Sequence, residues 1–452
     1  MVDFSALHLA LGAVRAARTG LDVTSNNVAN SSTPGYTRQR VTLASSFSRP
    51  VLGGLVGTGV TIADIGRLRD QMADVRFRTG AATLAGLEIR SELLQTTEMV
   101  LGEPDHGVSA ALSNLWDSFD GLSLSPNDPA TRATTLSALE GTASSIRELS
   151  AGLTNLEGVS RESLMDLVGG VNERLAEVAN LNEAIVASTI PPNDLLDKRD
   201  VILDELSSML GTNVIQQDDG AVRVTLNGIG LVSDVQAETL SVDATTGDIT
   251  TSSGLVLTPS GEAAGIQEFM VNDIPTFRTA LDAMAIDLHD ALNATNAAGF
   301  SPLGPGGDLL TYNAANPSGT LQVAITDPDE IATAATAGPP FPELDATNAQ
   351  ALAAFRTSLS ASGGTQSLES AFREIVTEIG ARSAAIRASA DSADNLQTAV
   401  SADRESQHGV SLDEEMVALM EYQRMYEAAS RVITAVDEAL DVLVNRTGVV
   451  GR

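Results

Sequence analysis

The first 35 residues carry a narrow apolar stripe of the kind found in coiled coils. Leu7, Val14, Leu21 and Val28 recur at intervals of seven residues, with alanines between them. This spacing keeps the apolar side chains on one side of an α-helix, where a second helix can cover them. The stripe ends in the Asn-, Ser-, Pro- and Gly-rich residues 26–35, a composition that favours a turn. We therefore predict an N-terminal helix with a coiled-coil seam.

A second and longer heptad pattern occupies the C-terminal end of the chain. Ser411 followed by Glu414 predicts a capping box, in which two side chains bind backbone N–H groups at a helix start. The helix would be about 50 Å long and needs a partner for its apolar side, so we predict that it pairs with the N-terminal helix. Its seam comprises Leu412, Leu419, Tyr426, Ile433 and Leu440 at position a, and Tyr422, Ala429, Val436 and Leu443 at position d, where only Glu415 does not fit.

The pattern between the two ends is mainly helical. Residues 68–210 follow a helical period with breaks near Pro104, Pro126 and Pro191, and Gly211 marks the end of the last helix. The period changes to two between 213 and 265, where β-branched residues alternate and dipeptides such as Asn227-Gly228 signal hairpin turns. Helix returns at about 273–297 and again over 348–445.

These patterns predict a fold that is mainly α with a small β module. Long terminal helices form a coiled coil, and the helices between them form a rod into which the β domain is inserted. The predicted division is a terminal coiled-coil domain (1–35 with 405–452), a helical rod domain (36–210 with 266–298 and 348–404), a small β module (211–265) and a short variable insert (299–347).

The charge of the chain argues against two classes of partner. The chain has 27 Lys and Arg against 59 Asp and Glu, a net charge of −32. Such an acidic surface repels nucleic-acid phosphates and anionic membranes, so we expect neither as a partner. The charge is uneven, because residues 1–90 hold ten arginines and only six acids. We therefore expect the basic N-terminal part to lie toward the acidic C-terminal helices.

Candidate chemistry is sparse. The chain has no Cys, and Lys198 is its only lysine, which excludes most covalent catalysis. The glycines of 53–59 are not followed by the GK[ST] of a phosphate loop, so we interpret them as part of a hairpin or extended arm. Asp327 fits a helix start better than a calcium loop. We predict no catalytic residue, no cofactor and no metal site, since the four histidines His8, His106, His289 and His408 lack the spacing of metal ligands.

The two ends and several internal strings resemble one family. Asn26, Asn27, Ala29, Asn30, Thr33, Pro34, Gly35 and Tyr36 form a string that resembles the N-terminal signature of bacterial flagellar rod, hook and hook-associated proteins. The run from Gly409 to Met416, followed by Tyr422 and Tyr426, resembles the C-terminal helix of the same group. Pro126-Asn127-Asp128 and the string 195–200 favour the hook-associated protein 1 family within it. The segment 299–347 departs from the family, in which a larger β domain is common at this place.

The resemblance implies a structural role without enzymatic activity. Members of this family are exported through the flagellar type III pathway, with no cleaved signal, and form the first junction layer between hook and filament. The expected partners are further copies of the chain, the hook protein, the next hook-associated junction protein, and an export chaperone with the export apparatus. The expected location is the hook–filament junction. The alternative is another axial protein such as the hook protein, which would be β-rich between its ends.

Overall fold

The computed structural model describes residues 5–51, 53–102, 107–190, 192–338 and 341–442. Four residues discussed above lie outside the described residues: Pro104, His106, Pro191 and the predicted seam residue Leu443. The described helices are α1 (Ser5–Ala29), α2 (Gln71–Leu101), α3 (Val108–Leu124), α4 (Pro129–Ala187), α5 (Asn193–Leu210), α6 (Glu262–Glu268), α7 (Ile274–Ala298), α8 (Pro317–Thr320), α9 (Thr347–Ala353), α10 (Leu368–His408) and α11 (Leu412–Asp441).

The strands are short and antiparallel. β1 pairs with β4, β2 with β3, β12 with β13 and β14 with β15, while β5 to β8 form a four-stranded sheet and β9 to β11 a three-stranded one. The strands are β1 (Gln39–Ser45), β2 (Ser48–Val51), β3 (Gly54–Gly57), β4 (Val60–Arg67), β5 (Asn213–Gln216), β6 (Val222–Leu226), β7 (Ile229–Ser233), β8 (Gln236–Ala237), β9 (Leu240–Val242), β10 (Ile249–Thr251), β11 (Val256–Leu257), β12 (Phe300–Ser301), β13 (Gly304–Pro305), β14 (Leu310–Thr311) and β15 (Gln322–Val323).

Several local predictions are confirmed. α5 ends at Gly211, whose φ of 73° is the left-handed conformation that glycine adopts without strain. Asn227 and Gly228 both have positive φ in the turn between β6 and β7, as a two-residue hairpin requires. Asp327 caps the short 3₁₀ helix Pro328–Glu330 in a full capping box. The mainly α fold with a small β portion is therefore the fold that the periodicity predicts.

The chain is divided into two compact units. Unit 1 comprises residues 1–82, 171–239 and 394–452, and unit 2 comprises 83–170 and 240–393. The segment 211–265 contributes a four-stranded sheet to unit 1 and a three-stranded sheet to unit 2. The four-part division given by the sequence pattern stays a prediction. None of the described helices is long and apolar enough to cross a membrane.

Unit 2 contains the largest hydrophobic core of the described residues. Trp116, Phe119, Phe277 and Phe372 are at most 2% exposed and belong to this core. The segment 299–347 contributes to the same core through Leu310 and Leu321, among others. It is therefore packed into unit 2 rather than standing apart as an insert, because its few apolar residues have no core of their own to enter.

A π-helix, Phe269–Asp273, precedes α7 in unit 2. Asp273 is fully buried, and both of its carboxylate oxygens accept hydrogen bonds from Arg90, at 2.8 and 3.0 Å. Arg382 donates a third, at 2.8 Å. A buried carboxylate needs such partners. The wider turn places Asp273 between two arginines from distant segments, a structural explanation for an otherwise rare conformation.

In unit 1 the two terminal helices pack against each other, as the heptads predict. The pairing is antiparallel, because Gly20 faces Tyr422 while Asn27 contacts Glu415. A Cβ atom at Gly20 would lie 2.4 Å from the Tyr422 ring, so a side chain at this position does not fit. The inner face of α1 is accordingly built from small residues: Ala10, Ala16, Ala17, Gly20 and Thr24 are all buried.

We expect the substitution Gly20→Val to loosen the pairing of α1 with α11. The valine side chain overpacks this contact and forces the Tyr422 ring out of its position. We expect this to lower the free energy of unfolding by about 1–3 kcal/mol. Trypsin cleavage at Arg15 and Arg18 should then become about tenfold faster or more. The matched control is Gly141→Val on α4, where a Cβ atom would meet nothing within 4 Å. Equal cleavage rates in the two variants would contradict the close approach.

Candidate functional site

The predicted seam residues of α1 lie beside its inner face. Leu7, Val14 and Leu21 are half-buried, and Val28 is 36% exposed. Ala10, Ala17 and Thr24, which lie between them at the other seam position of the same heptads, are buried. The apolar surface of Leu7, Val14, Leu21 and Val28 remains partly open. A role in contacts with other subunits stays a prediction for them.

The seam predicted for α11 agrees better with the observed burial than the seam predicted for α1. Ala429 is buried, and the two exceptions are Leu412 and Tyr426, which are 52% and 42% exposed. Both lie at position a, at the edge of the surface that faces α1. The remaining described seam residues, Leu419, Tyr422, Ile433, Val436 and Leu440, are half-buried.

Asn27 of the N-terminal motif is the point at which the two chain ends are joined. Its side chain is 1% exposed, and all its hydrogen-bonding capacity toward the protein is used. The amide nitrogen donates to the Gln39 carbonyl and to the Glu415 carboxylate, both at 2.9 Å. The amide oxygen accepts from the Tyr36 hydroxyl at 2.8 Å and from the Gln39 N–H at 3.0 Å. One side chain thus fixes the end of α1, the start of β1 and the first turn of α11.

Glu415 completes this junction from the other end of the chain. Although it interrupts the apolar seam, it is only 2% exposed, and Arg38 donates to it from Nε at 2.6 Å. The other end of the Arg38 guanidinium binds Glu414 at 2.5 Å. The capping box predicted from Ser411 and Glu414 is therefore wrong: Ser411 is the N-cap but makes no side-chain capping bond. Glu414 is drawn to Arg38 instead, because a charged donor is the stronger partner.

The other motif residues form the turn that follows α1. Asn30 donates to the Asn26 carbonyl at 3.0 Å and to its side-chain oxygen at 2.6 Å, while Thr33 donates to Asn30 at 3.2 Å. Gly35 has a φ of 77°, and a Cβ atom there would lie 2.3 Å from Val201 of α5. Only glycine fits both constraints. Ala29 and Pro34 are exposed at the surface of this turn.

Tyr36 is held in its neutral form at the junction. Burial raises the pKa of its hydroxyl to about 12, and the nearby negative charges of Asp197 and Glu415 act in the same direction. The hydroxyl therefore keeps its proton and remains a donor to Asn27 at any physiological pH. The motif tyrosine thus fixes the orientation of the Asn27 amide.

A network of buried arginines and aspartates extends from the junction into unit 1. Arg67, at the end of β4, binds Asp197 at 2.8 Å and Asp200 at 2.7 Å, both on α5. Arg69 binds Asp200 and also Asp74, the latter at 2.6 Å. Each of these side chains is at most 12% exposed. The network therefore joins the strand after the motif to α5 and to the start of α2.

The C-terminal end of α10 enters the same network. Arg404 binds Asp74 at 2.8 Å and Asp204 at 2.7 Å, and its guanidinium lies 4.2 Å from the centre of the Phe77 ring. Arg78 binds Asp204 from the other side, at 2.7 Å. These contacts, chiefly the Arg69 hydrogen bond, lower the pKa of Asp74 even though burial alone would raise it. The segment that leads into α11 is thereby tied to the segment that follows the motif.

The sequence pattern did not identify this network, although two signals pointed toward it. The first is the arginine-rich N-terminal part in an otherwise acidic chain, and the second is the string 195–200, which carries Asp197, Arg199 and Asp200. Arg199 donates to Asn182 at 3.0 Å and to the Gly220 carbonyl at 2.8 Å, and burial lowers its pKa to about 10. The basic part pairs with the C-terminal helices, through Asp403, Glu414 and Glu415, and also with α5, through Asp197, Asp200 and Asp204.

A groove of about 740 Å³ lies beside the motif turn. It is bounded by residues 30–37, by α5 and by the last turns of α10. Its charged residues include Glu205 and Glu405, in addition to members of the network. Among the described residues, no group of three or more His, Asp or Glu side chains could hold a metal ion.

His408, the last residue of α10, is buried next to this groove. Its Nε2 atom accepts a hydrogen bond from the Asp70 N–H at 2.7 Å, which requires a neutral ring. Its carbonyl accepts a hydrogen bond from the Arg38 N–H at 3.1 Å. Burial lowers the pKa of His408, and the neighbouring Arg69 and Arg404 lower it further against the opposing charges of Asp74 and Asp70. His408 therefore stays uncharged at neutral pH.

Comparisons with known proteins find similar sequences along nearly the whole chain. The family described as "Flagellar hook-associated protein FlgK helical domain" matches residues 94–310. Residues 7–37 match "Flagella basal body rod protein", and residues 405–446 match "Flagellar basal body rod FlgEFG protein C-terminal". "Flagellar hook-associated protein 1" of Bacillus subtilis is 28% identical, with 99% of each chain covered. The protein of the same name in Escherichia coli is 25% identical, over 98% of this chain and 99% of its own.

The chain is similar to the flagellar hook-associated protein 1 family along nearly its whole length. A solved structure of the flagellar hook junction protein FlgK from Burkholderia pseudomallei shares the fold, with a TM-score of 0.68 and 16% identity. The similarity covers 75% of this chain and 100% of the FlgK chain. The matched N-terminal and C-terminal segments contain Asn27 and Glu415.

We expect Glu415→Ala to release the two chain ends of this protein. The change removes one hydrogen-bond acceptor from the half-buried Arg38 and one from the buried Asn27 amide, which costs about 2–3 kcal/mol. Trypsin cleavage within α1 should accelerate by about 30- to 100-fold. Glu414→Ala is the matched control, because it removes the exposed carboxylate that binds the same arginine and should cost less than about 0.5 kcal/mol. Similar effects of the two changes would contradict the junction.

The buried His408 leads to a separate prediction about how stability depends on pH. Its folded pKa lies below the ordinary value of 6.5, so the unfolded chain binds the proton more readily than the folded chain. The contribution of His408 to stability is therefore fully present above about pH 6.5 and is lost as the pH falls below that value. The measurement is the urea midpoint between pH 7.5 and 5. His408→Gln, whose amide oxygen can accept the same hydrogen bond, should flatten this part of the profile; an unchanged profile would assign the pH dependence to other groups.

Proposed function

We propose that this protein is a structural component of the bacterial flagellum. It forms the first junction layer between hook and filament and assembles with further copies of itself through its terminal helices. The comparisons support this role, because proteins named "Flagellar hook-associated protein 1" match it over nearly their full length. We propose no catalytic activity, since the described site consists of structural ion pairs and hydrogen bonds.

The observation that carries the assembly mechanism is the apolar surface that the paired terminal helices leave uncovered. Several large apolar side chains of the two helices stay exposed in the single chain. Burial of such side chains favours association by roughly 25 cal/mol per Å² of apolar surface. We infer that further copies of the chain cover them on assembly. The exposed residues are Leu9, Leu11, Leu412, Met416, Val417, Met420, Tyr426, Val432 and Val442.

The partners of this surface follow from the position in the axial structure. We propose a ring of copies of this chain, in contact with the hook protein on one side and with the next hook-associated junction protein on the other. An export chaperone and the flagellar export apparatus would act on the chain before assembly. The absence of cysteine suits a chain that is exported unfolded, because no disulfide has to form first.

The alternative is a different axial protein, in particular the hook protein. The match to the helical domain of the hook-associated family over residues 94–310 favours the junction protein. The long helices α4 and α10 between the terminal segments favour it as well, because the hook protein is expected to be β-rich there.

Electron microscopy of a deletion strain tests the proposed function. A strain that lacks this gene should carry hooks without filaments, and the unmodified gene should restore the filaments. Filaments of normal length in the deletion strain would exclude the junction role. Cells without hooks would instead support an earlier role in the axial structure.

We predict that Tyr426→Asp blocks filament growth without weakening the monomer. Tyr426 is 42% exposed in the single chain, so a charge there costs little until a neighbouring copy covers it. The readouts are the melting temperature of the purified chain and the number of filaments on complemented deletion cells. Ala428→Asp is the matched control, since Ala428 is exposed on the opposite side of α11. Normal filaments with Tyr426→Asp would remove this residue from the assembly contact.

A further inference from the structure

An arm with exposed apolar residues projects between β1 and β4. It comprises residues 45–60 and contains the hairpin of β2 and β3. Phe47 is 93% exposed, Leu55 73% and Val56 52%. A large side chain at 93% exposure has almost no contact with its own chain. The apolar residues of the arm therefore lack a partner in the described structure of the single copy.

The charge of the arm restricts what can cover it. Residues 45–60 contain one basic residue, Arg49, and not a single Asp or Glu, whereas the whole chain has a net charge of −32. An apolar and basic surface is complemented by one that is apolar and acidic. A second basic surface is excluded as a partner for the same reason.

The first three turns of α11 have this complementary character. Residues 412–423 contain no basic residue, and of their four acids Asp413 and Glu421 are exposed, whereas Glu414 and Glu415 bind Arg38 of the same copy. Leu412, Met416 and Met420 recur every four residues and are 52%, 59% and 46% exposed, so they form one apolar stripe on the helix. Methionine side chains adapt to the shape of a partner, which suits a docking surface.

We propose that the arm of one copy docks onto the first three turns of α11 in a neighbouring copy. This inference rests on the proposed self-assembly and specifies one of its contacts. A second copy is the occupant that we favour, because every copy presents both complementary surfaces and leaves both exposed. The two surfaces differ, so the contact is head-to-tail. Repeated head-to-tail contacts generate a ring or a helical array rather than a closed pair.

Engineered cysteines test this contact cleanly, because the chain has none of its own. Ser48→Cys in one copy of the full-length gene and Met416→Cys in a second copy are expressed together in the deletion strain. A short bis-maleimide reagent is applied to the cells, and the cross-linked dimers are measured in isolated flagella. The two cysteines are on different chains, so a mixed dimer reports a contact between copies. Ser48→Cys with Ala428→Cys is the matched control, with the second cysteine on the other side of the same helix.

The expected result is at least tenfold more mixed dimer from the Ser48 and Met416 pair than from the control pair. Equal yields from cells that carry normal filaments would overturn the docking contact while leaving the proposed function intact. If the unmodified gene itself failed to restore filaments, the proposed function would fail first. The two failures are therefore distinguishable.

A second variant tests the contribution of the arm itself. Phe47→Glu should leave the melting temperature of the purified chain unchanged, because Phe47 has almost no contact within it. It should reduce the number of filaments at least tenfold, since a negative charge would face the acidic turns of α11. Phe47→Leu keeps an apolar side chain and should retain filaments. Normal filaments with Phe47→Glu would overturn the proposal.

Discussion

The buried contact between the Asn27 amide and the Glu415 carboxylate joins residues that lie 388 positions apart. An isolated carboxylate at 2% exposure would destabilise the fold, so Glu415 is tolerated only with Asn27 and Arg38 in place. Asn27 is in turn oriented by Tyr36 and by the backbone of Gln39. The motif turn, the start of β1 and the start of α11 must therefore form together. This mutual dependence determines where the two terminal helices meet and in which register they pair.

The junction also governs the rest of unit 1 through the strands that leave it. β1 pairs with β4 along seven positions, and β4 delivers Arg67 to the aspartates of α5. The arginines that follow, Arg69 and Arg78, reach the same helix and the end of α10 through shared carboxylates. Because Asp74, Asp200 and Asp204 each serve more than one arginine, removal of one partner leaves others with unbalanced charge. Such a network costs desolvation energy but specifies a single arrangement of its segments, which is the role we assign to it here.

The sequence predicted the elements of this site better than their contacts. Heptad spacing identified both terminal helices and their pairing, because a periodic apolar pattern needs only local information. It picked out Leu7, Val14 and Leu21, which are half-buried, whereas the fully buried positions of the same heptads on α1 are Ala10, Ala17 and Thr24. Large residues dominate a hydrophobicity pattern, yet Tyr422 on α11 needs a small residue opposite it. The partners of Arg67 and Arg78 lie more than 120 residues away, and no local pattern encodes that pairing.

The terminal helices combine a buried hydrogen-bonded contact with exposed apolar side chains, and both features bear on the proposed assembly. An ordinary two-helix seam buries its largest apolar residues within the pair, and little remains to drive further association. In this protein the internal contact includes small residues, a buried carboxylate and an asparagine, so hydrogen bonds with defined geometry help to fix the register. Large side chains such as Met416 and Val417 stay exposed on α11 in the single chain. Because the burial of such side chains between copies depends on concentration, the proposed self-assembly is compatible with a folded single chain.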